Sequence, residues 1–370
     1  MPRELIAIAP RTPMLREYEE PELGPRQIRI RTELASPKHG TELVGYRDDP
    51  AAHRPYDPRW GAVLPMPDRQ GFPRPLGNMA VGIVTECGPE VQRHKVGDRV
   101  FGHFPIRETH TVDQDHADPV PEGLSPEAVV CLDPAVMAFA MRDARIGLGD
   151  RVAIFGLGAI GLMAVQLARL AGADWIVAVD PIPARRELAR TLGADVVLDT
   201  TEEDGDTGLA IRKLTETGMH RAEVPRVRHR IIGGYWEQPS QVNQLGVDVA
   251  VEASGSTRAL HQAIRATRFG GTVCLISFYG SEAVGLHLGE EFHINRLQLV
   301  SARAESQPMR DAPGWTLGRM VETALGWLAS GRLRTDGIIT PVVAFADSVE
   351  AYREIDEHPE RSIKLGISFP

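Results

Sequence analysis

Apolar and polar positions divide the chain into two regimes. From about residue 136 onward, short apolar runs alternate with amphipathic stretches. The runs are RVAIF at 151–155, WIVAV at 175–179, ADVVLD at 194–199, VDVAVE at 247–252, GTVCLIS at 271–277 and QLVS at 298–301. Near-continuous apolar runs of this length are strands buried on both faces. Between them lie helical patterns at 161–173, 184–192 and 257–267. Six strands separated by helices or loops predict an α/β fold with a doubly wound parallel sheet.

Residues 1–135 read differently. LIAI at 5–8, QIRIRT at 27–32, VGIVTECG at 81–88 and the turn-to-strand stretch 96–102 predict a β-rich, irregular domain. Residues 48–76 carry many prolines, two aromatic anchors (Tyr56 and Trp60) and little periodicity. A long loop of that kind is either a substrate-site wall or a packed surface loop. Ser125 followed by Pro126 marks a helix start. After residue 307 come an amphipathic helix at 317–330 closed by Gly331, a strand-like stretch at 338–343, an amphipathic stretch at 348–355 and a terminal strand at 362–368. No internal repeat is present.

The turn after RVAIF carries the first chemistry. Gly156, Gly158 and Gly161 have the spacing G-x-G-x-x-G, opening a helix through Ala159 and Ile160. The first glycine allows the tight turn, the second lets backbone approach a pyrophosphate, and the third lets helix and strand pack closely. WIVAV then ends in Asp180, an acid placed to accept from the hydroxyls of an adenosine ribose. A carboxylate there repels the extra phosphate of NADP, so NAD is the expected cofactor. Arg185 and Arg186, one helical turn on, soften that preference.

Composition narrows the function class. The 370 residues are 42% apolar and 25% charged, with a formal charge of -9 that argues against a general nucleic-acid binder. Cys87, Cys131 and Cys274 are far apart and have no C-x-x-C spacing, so neither a disulfide scaffold nor a structural zinc knuckle is indicated. No leader and no membrane-length apolar run is evident, so a soluble cytoplasmic protein with no membrane partner is expected. One stretch interrupts the βα alternation. Residues 218–245 hold His220, Arg221, Arg226, Arg228, His229 and Arg230 and then IIGGYW, which reads as an excursion or a subunit contact before a ligand site.

Several motifs together give the chain its likeness. They are SPKHGTE at 36–42, VGIVTECG at 81–88, KVGDRV at 95–100, GDRVAI at 149–154, the glycine turn with Asp180, ARTLGAD at 189–195, EASGS at 252–256, FGGTV at 269–273, SVEAY at 348–352 and SIK at 362–364. In this order and spacing the chain resembles the medium-chain dehydrogenase/reductase superfamily over nearly its whole length. The resemblance implies a chaperonin-10-like catalytic domain formed by 1–135 and 308–370, and a Rossmann domain formed by 136–307 with the insertion. It implies that Ser254 and Gly255 border a ribose, and that Ser277 and Phe278 border the nicotinamide carboxamide. It also implies a homodimer or homotetramer.

The departures from that family bear on the reaction. Its zinc-dependent members carry a cysteine where this chain has His39, Gly-His-Glu where it has Gly77-Asn78-Met79, and a cysteine or glutamate where it has Asp133. The four-cysteine lobe holding a second zinc is missing. Asn78 is a poor zinc ligand and Met79 a soft, neutral one, so zinc is expected to be absent. A proton acceptor must then replace the metal. His39 is the expected acid/base, because imidazole titrates near neutrality, with Thr41 as a hydroxyl relay and Lys38 and Asp133 assisting. Asn78, Met79 and Trp60 are expected to meet the substrate. The expected reaction is hydride transfer between NAD and a secondary alcohol or ketone of a small polar molecule: a sugar, cyclitol or polyol. Two other readings stay open, a zinc-free reductase of quinones or enoyl double bonds that uses NADPH, and a dinucleotide-binding protein without turnover.

Overall fold

The computed structural model describes residues 1–64, 71–217, 245–280 and 282–370. The insertion expected at 218–245, with its basic and aromatic residues, lies outside the described residues apart from Leu245. Backbone contacts divide the chain into two units. One is Met1–Val136 with Gly280–Glu282 and Gly318–Pro370, and the other is Met137–Tyr279 with Ala283–Leu317.

In the second unit the six predicted strands form one sheet. Its order is Val196–Leu198, Trp175–Val179, Arg151–Phe155, Val247–Glu252, Thr267–Leu275, Gln298–Ser301, and every neighbouring pair is parallel. Strand order reverses between Arg151–Phe155 and Val247–Glu252, the position where open α/β sheets leave a crevice at the strands' carboxyl ends. All five residues of Trp175–Val179 are buried, as a central strand covered on both faces requires. Residues 308–317, expected in the first domain, group with this unit. Arg145 and Arg310 both ion-pair with Asp311, whose backbone N–H donates to Asp143 Oδ1 at 3.1 Å, and Trp315 stacks on Phe139. The helix Thr207–Thr217 was not evident in the apolar pattern.

The first unit is built on an irregular sheet around Gln27–Ser36. That strand pairs antiparallel with Met79–Cys87, Thr109–Asp113 and the C-terminal strand Lys364–Ser368. Chain ends more than 300 residues apart therefore share one sheet. Its apolar core includes Leu5, Ile28, Ile30, Val84, Val100, Tyr352, Leu365 and Ile367. The start of the helix at Pro126 follows expectation, with Ser125 Oγ accepting from the Ala128 N–H.

His110, on Thr109–Asp113, is buried in this core against Phe104. Burial, with Arg107 nearby, pushes its imidazole down from 6.5 to about 3. The unfolded chain therefore binds a proton there that the folded chain refuses, and stability falls as pH drops from about 6.5 towards 3. Urea unfolding across that window should show His110→Phe losing less stability than wild type, by up to about 1.4 kcal/mol per pH unit. Parallel pH profiles for the two proteins would count against this assignment.

Candidate active site

A helix absent from the sequence pattern, His39–Tyr46, organises the first cluster. Lys38 caps it without a side-chain cap bond, and the Glu42 carboxylate reaches back instead to the Lys38 backbone N–H at 2.9 Å. The other Glu42 oxygen accepts from the Gly77 N–H and from the Tyr352 hydroxyl, both at 2.6 Å. Burial pushes the Glu42 carboxyl above its ordinary value, against the pull of those donors. Glu42 thus ties the start of the helix to the Gly77 turn and to the helix Ser348–Glu357.

Lys38 turns its own side chain the other way. Its Nζ donates to Asp133 Oδ1 at 3.0 Å, with the lysine side chain 19% and the aspartate 5% exposed. A second ammonium stands behind this pair. Lys364 is buried and donates to the Pro37 carbonyl at 2.8 Å. Burial lowers its pKa, Asp133, Cys131 and Glu42 oppose that shift, and Lys38 adds to it.

His39 departs from expectation. Its Nε2 accepts from the Leu365 backbone N–H at 3.0 Å. That bond occupies the nitrogen lone pair and assigns the ring proton to Nδ1, so a base role would require breaking a backbone bond. The lone pair expected to serve as the free base at His39 is thus engaged by backbone in this structure. Thr41 is exposed on the same helix. Asn78 is anchored through its backbone N–H to the Ser36 carbonyl, and its buried Nδ2 has no hydrogen-bond partner. Met79, expected to meet substrate, is 2% exposed and begins a strand paired with Ser36, so its side chain is packed away. Trp60 is 68% exposed with the Arg59 guanidinium over its ring, and no described contact brings it to Lys38 or Asp133.

These groups do not fit a zinc ion. Catalytic zinc takes about three thiolate, imidazole or carboxylate ligands. Here Asp133 is held by an ammonium, the His39 Nε2 lone pair is taken by a backbone donor, and Asn78 and Met79 occupy the remaining positions. Among the described residues no group of three or more His, Cys, Asp or Glu could hold a metal.

The second cluster lies at the strand ends of the parallel sheet and fits a dinucleotide. Gly156 has φ +87°, and a Cβ there would meet the backbone of Ser254. Gly158 caps the helix Ala159–Ala171, and a Cβ there would meet nothing within 4 Å, which leaves open space at the helix N-terminus. Gly161 lies against the Gly156 carbonyl. Asp180 is 3% exposed, and both its oxygens already accept backbone N–H groups: Leu157 at 2.8 Å and Ile182 at 2.8 Å. The acid read as a ribose partner therefore first braces the glycine turn, keeping one further lone pair per oxygen. Arg185 Nη1 stands 3.9 Å from Asp180, while Arg186 pairs with Asp199 at 2.7 Å.

Ser254, Gly255, Ser277 and Phe278 lie at the ends of the next two strands, and a Cβ on Gly255 would meet the Phe278 carbonyl. Two residues given no role from the sequence belong here. Glu252 is fully buried, and it joins these loops together with Tyr279. Lys364, Glu42 and Glu252 all stand inside motifs visible in the sequence, but their partners are separated from them by up to 327 positions.

The comparisons with known proteins bear on the family and the fold. A family model described as zinc-binding dehydrogenase matches residues 159–310. The D-guloside 3-dehydrogenase of Escherichia coli (strain K12) is 37% identical over 99% of this chain and 100% of its own length. The (R,R)-butanediol dehydrogenase of Bacillus subtilis (strain 168) is 25% identical over 91% of this chain and 90% of its own. The crystal structure of 2R,3R-butanediol dehydrogenase from Bacillus subtilis superposes with a TM-score of 0.72 at 22% identity, covering 100% of this chain and 99% of that one.

Proposed function

The chain belongs to the zinc-binding dehydrogenase family, and from that membership we propose that it is an NAD-dependent dehydrogenase that oxidises a secondary alcohol of a sugar or glycoside, with Lys38 acting where its zinc-dependent relatives use a metal. The observation that carries this reading is the Lys38–Asp133 ion pair at 3.0 Å, standing where the family's metal ligands are expected. The substrate class is supported by the full-length similarity to a D-guloside 3-dehydrogenase. The preference for NAD is supported by the Asp180 carboxylate at the end of its strand, which repels a ribose phosphate.

Bound NAD would supply the hydride acceptor for the carbinol carbon. Lys38, in its amine form, takes the hydroxyl proton as the hydride departs. The ammonium so formed pairs with Asp133. In reduction the same ammonium donates to the developing alkoxide, providing positive charge and a proton together. Asn78 Nδ2 offers a substrate hydroxyl a donor otherwise left without a partner. Thr41 presents a second hydroxyl from the exposed helix surface.

A panel of glycosides, free sugars, polyols and quinones, read by nicotinamide absorbance with NAD and with NADP, tests this directly. NAD-dependent oxidation of a glycoside or sugar is expected. It should be insensitive to a zinc chelator. One zinc per chain with chelator-sensitive turnover would overturn the role given to Lys38. Quinone reduction by NADPH without alcohol oxidation would overturn the reaction itself.

A further inference from the structure

We infer that Glu252 is a positioning residue that sets the nicotinamide end of the dinucleotide site. Five donors converge on its fully buried carboxylate: the Ser254 N–H and hydroxyl, the Gly255 N–H, the Ser277 hydroxyl and the Tyr279 hydroxyl. Asp180 braces the preceding pair of strand ends with two backbone donors, whereas Glu252 gathers five donors, three of them side-chain hydroxyls. Ser254 and Gly255 follow the strand Val247–Glu252, and Ser277 to Tyr279 follow the strand Thr267–Leu275. One carboxylate therefore clamps together two loops that have no backbone ladder between them beyond the strand ends.

The clamp stands where strand order reverses, beside the glycine turn. The Gly156 N–H donates to the Val179 carbonyl, and the next N–H along the neighbouring strand, that of Ala253, donates to the Phe155 carbonyl at 2.8 Å. Ser254 in turn packs against Gly156 so closely that no Cβ would fit. Glu252 is thus one residue from the backbone that holds the turn, yet its side chain faces the other loop. Charge explains why the carboxylate is kept. A buried, unpaired acid is costly, and no cation is among its hydrogen-bond partners; five N–H and O–H donors offset that cost. Burial, the negative charge of Glu252 and the hydrogen bond to it push the Tyr279 hydroxyl far above its ordinary pKa, so it remains a donor at any working pH.

Gly255 has φ +74° and lies against the Phe278 carbonyl, so the loop spacing tolerates no side chain there. Phe278 itself is 51% exposed, held out by the clamped residues on either side of it. The device would fix an aromatic edge and two hydroxyl-bearing loops while the phosphate-binding turn is held separately by Asp180. Adenosine-end and nicotinamide-end binding are then supported by different carboxylates.

This inference rests on the dinucleotide reading, and the test separates the two. Binding of NADH and of ADP-ribose, which lacks the nicotinamide, is measured by fluorescence and calorimetry for wild type and Glu252→Gln. In the glutamine variant one oxygen becomes an NH₂ group, which cannot accept from Gly255. NADH should bind about tenfold more weakly, with a clearly smaller loss for ADP-ribose, which keeps the ribose and pyrophosphate but not the nicotinamide. Equal affinities for NADH in both proteins would overturn the clamp, as would an equal loss for both ligands, which marks a merely structural role. If Glu252→Gln does not fold, Tyr279→Phe and Ser277→Ala each remove a single donor and should show the same selective loss. Wild type that binds neither ligand would sink the dinucleotide reading itself.

Discussion

Replacing Lys38 with methionine should lower kcat for alcohol oxidation by about a hundredfold to ten-thousandfold, the range of a lost general acid/base. NADH affinity should stay at the wild-type value, because the glycine turn and its Asp180 brace lie in the other unit. The substitution also removes the cation hydrogen-bonded to Asp133, whose side chain is 5% exposed. Breaking a buried pair from one side costs about 3 kcal/mol, so Lys38→Met should unfold at lower urea concentration as well. Lys38→Arg separates the two effects. A guanidinium can keep the ion pair but does not release its proton in this range. The arginine variant should therefore recover stability without recovering oxidation. Wild-type turnover in Lys38→Arg would remove Lys38 from proton transfer and leave it a structural partner of Asp133.

Gly161→Ala should abolish measurable dinucleotide binding and lower the unfolding midpoint. A Cβ at this position falls far inside van der Waals contact with the Gly156 carbonyl oxygen, which is backbone and cannot rotate away. The helix Ala159–Ala171 would have to move off the strand Arg151–Phe155, and overpacking against backbone costs about 3 kcal/mol or more. Gly158→Ala makes the control, since a Cβ there meets nothing within 4 Å. It should leave stability near wild type and weaken binding only through crowding of the incoming phosphate. Circular dichroism melts with NADH titrations compare the pair. A Gly161→Ala protein with wild-type melting and binding would contradict the helix–strand packing described here.

Legibility from sequence followed the range of the interactions. The six-stranded sheet was readable because each strand is a local apolar run, and burial on both faces leaves little alternative. The glycine turn was readable for the same reason, since its requirements concern a few adjacent residues. The helix His39–Tyr46 was not, because a side chain four residues on completes its first turn and a tyrosine 310 positions away supports that side chain. The position of residues 308–317 was missed on similar grounds. Arginines near 145 and an aromatic at 139 hold that segment, and no periodicity records such contacts.

The sequence by itself determined the family, the parallel sheet and the phosphate turn, and it marked the metal positions as altered. It also brought Lys38, His39 and Asp133 forward as a group. Only the tertiary structure decided which partners each member of that group meets. The Leu365 N–H, delivered by a strand from the far end of the chain, takes the His39 Nε2 lone pair. With that nitrogen occupied, the proton chemistry proposed above rests on Lys38, which is held against a buried carboxylate. A lone pair has one partner at a time, and which partner arrives is settled by packing between residues that the linear chain keeps more than 300 positions apart.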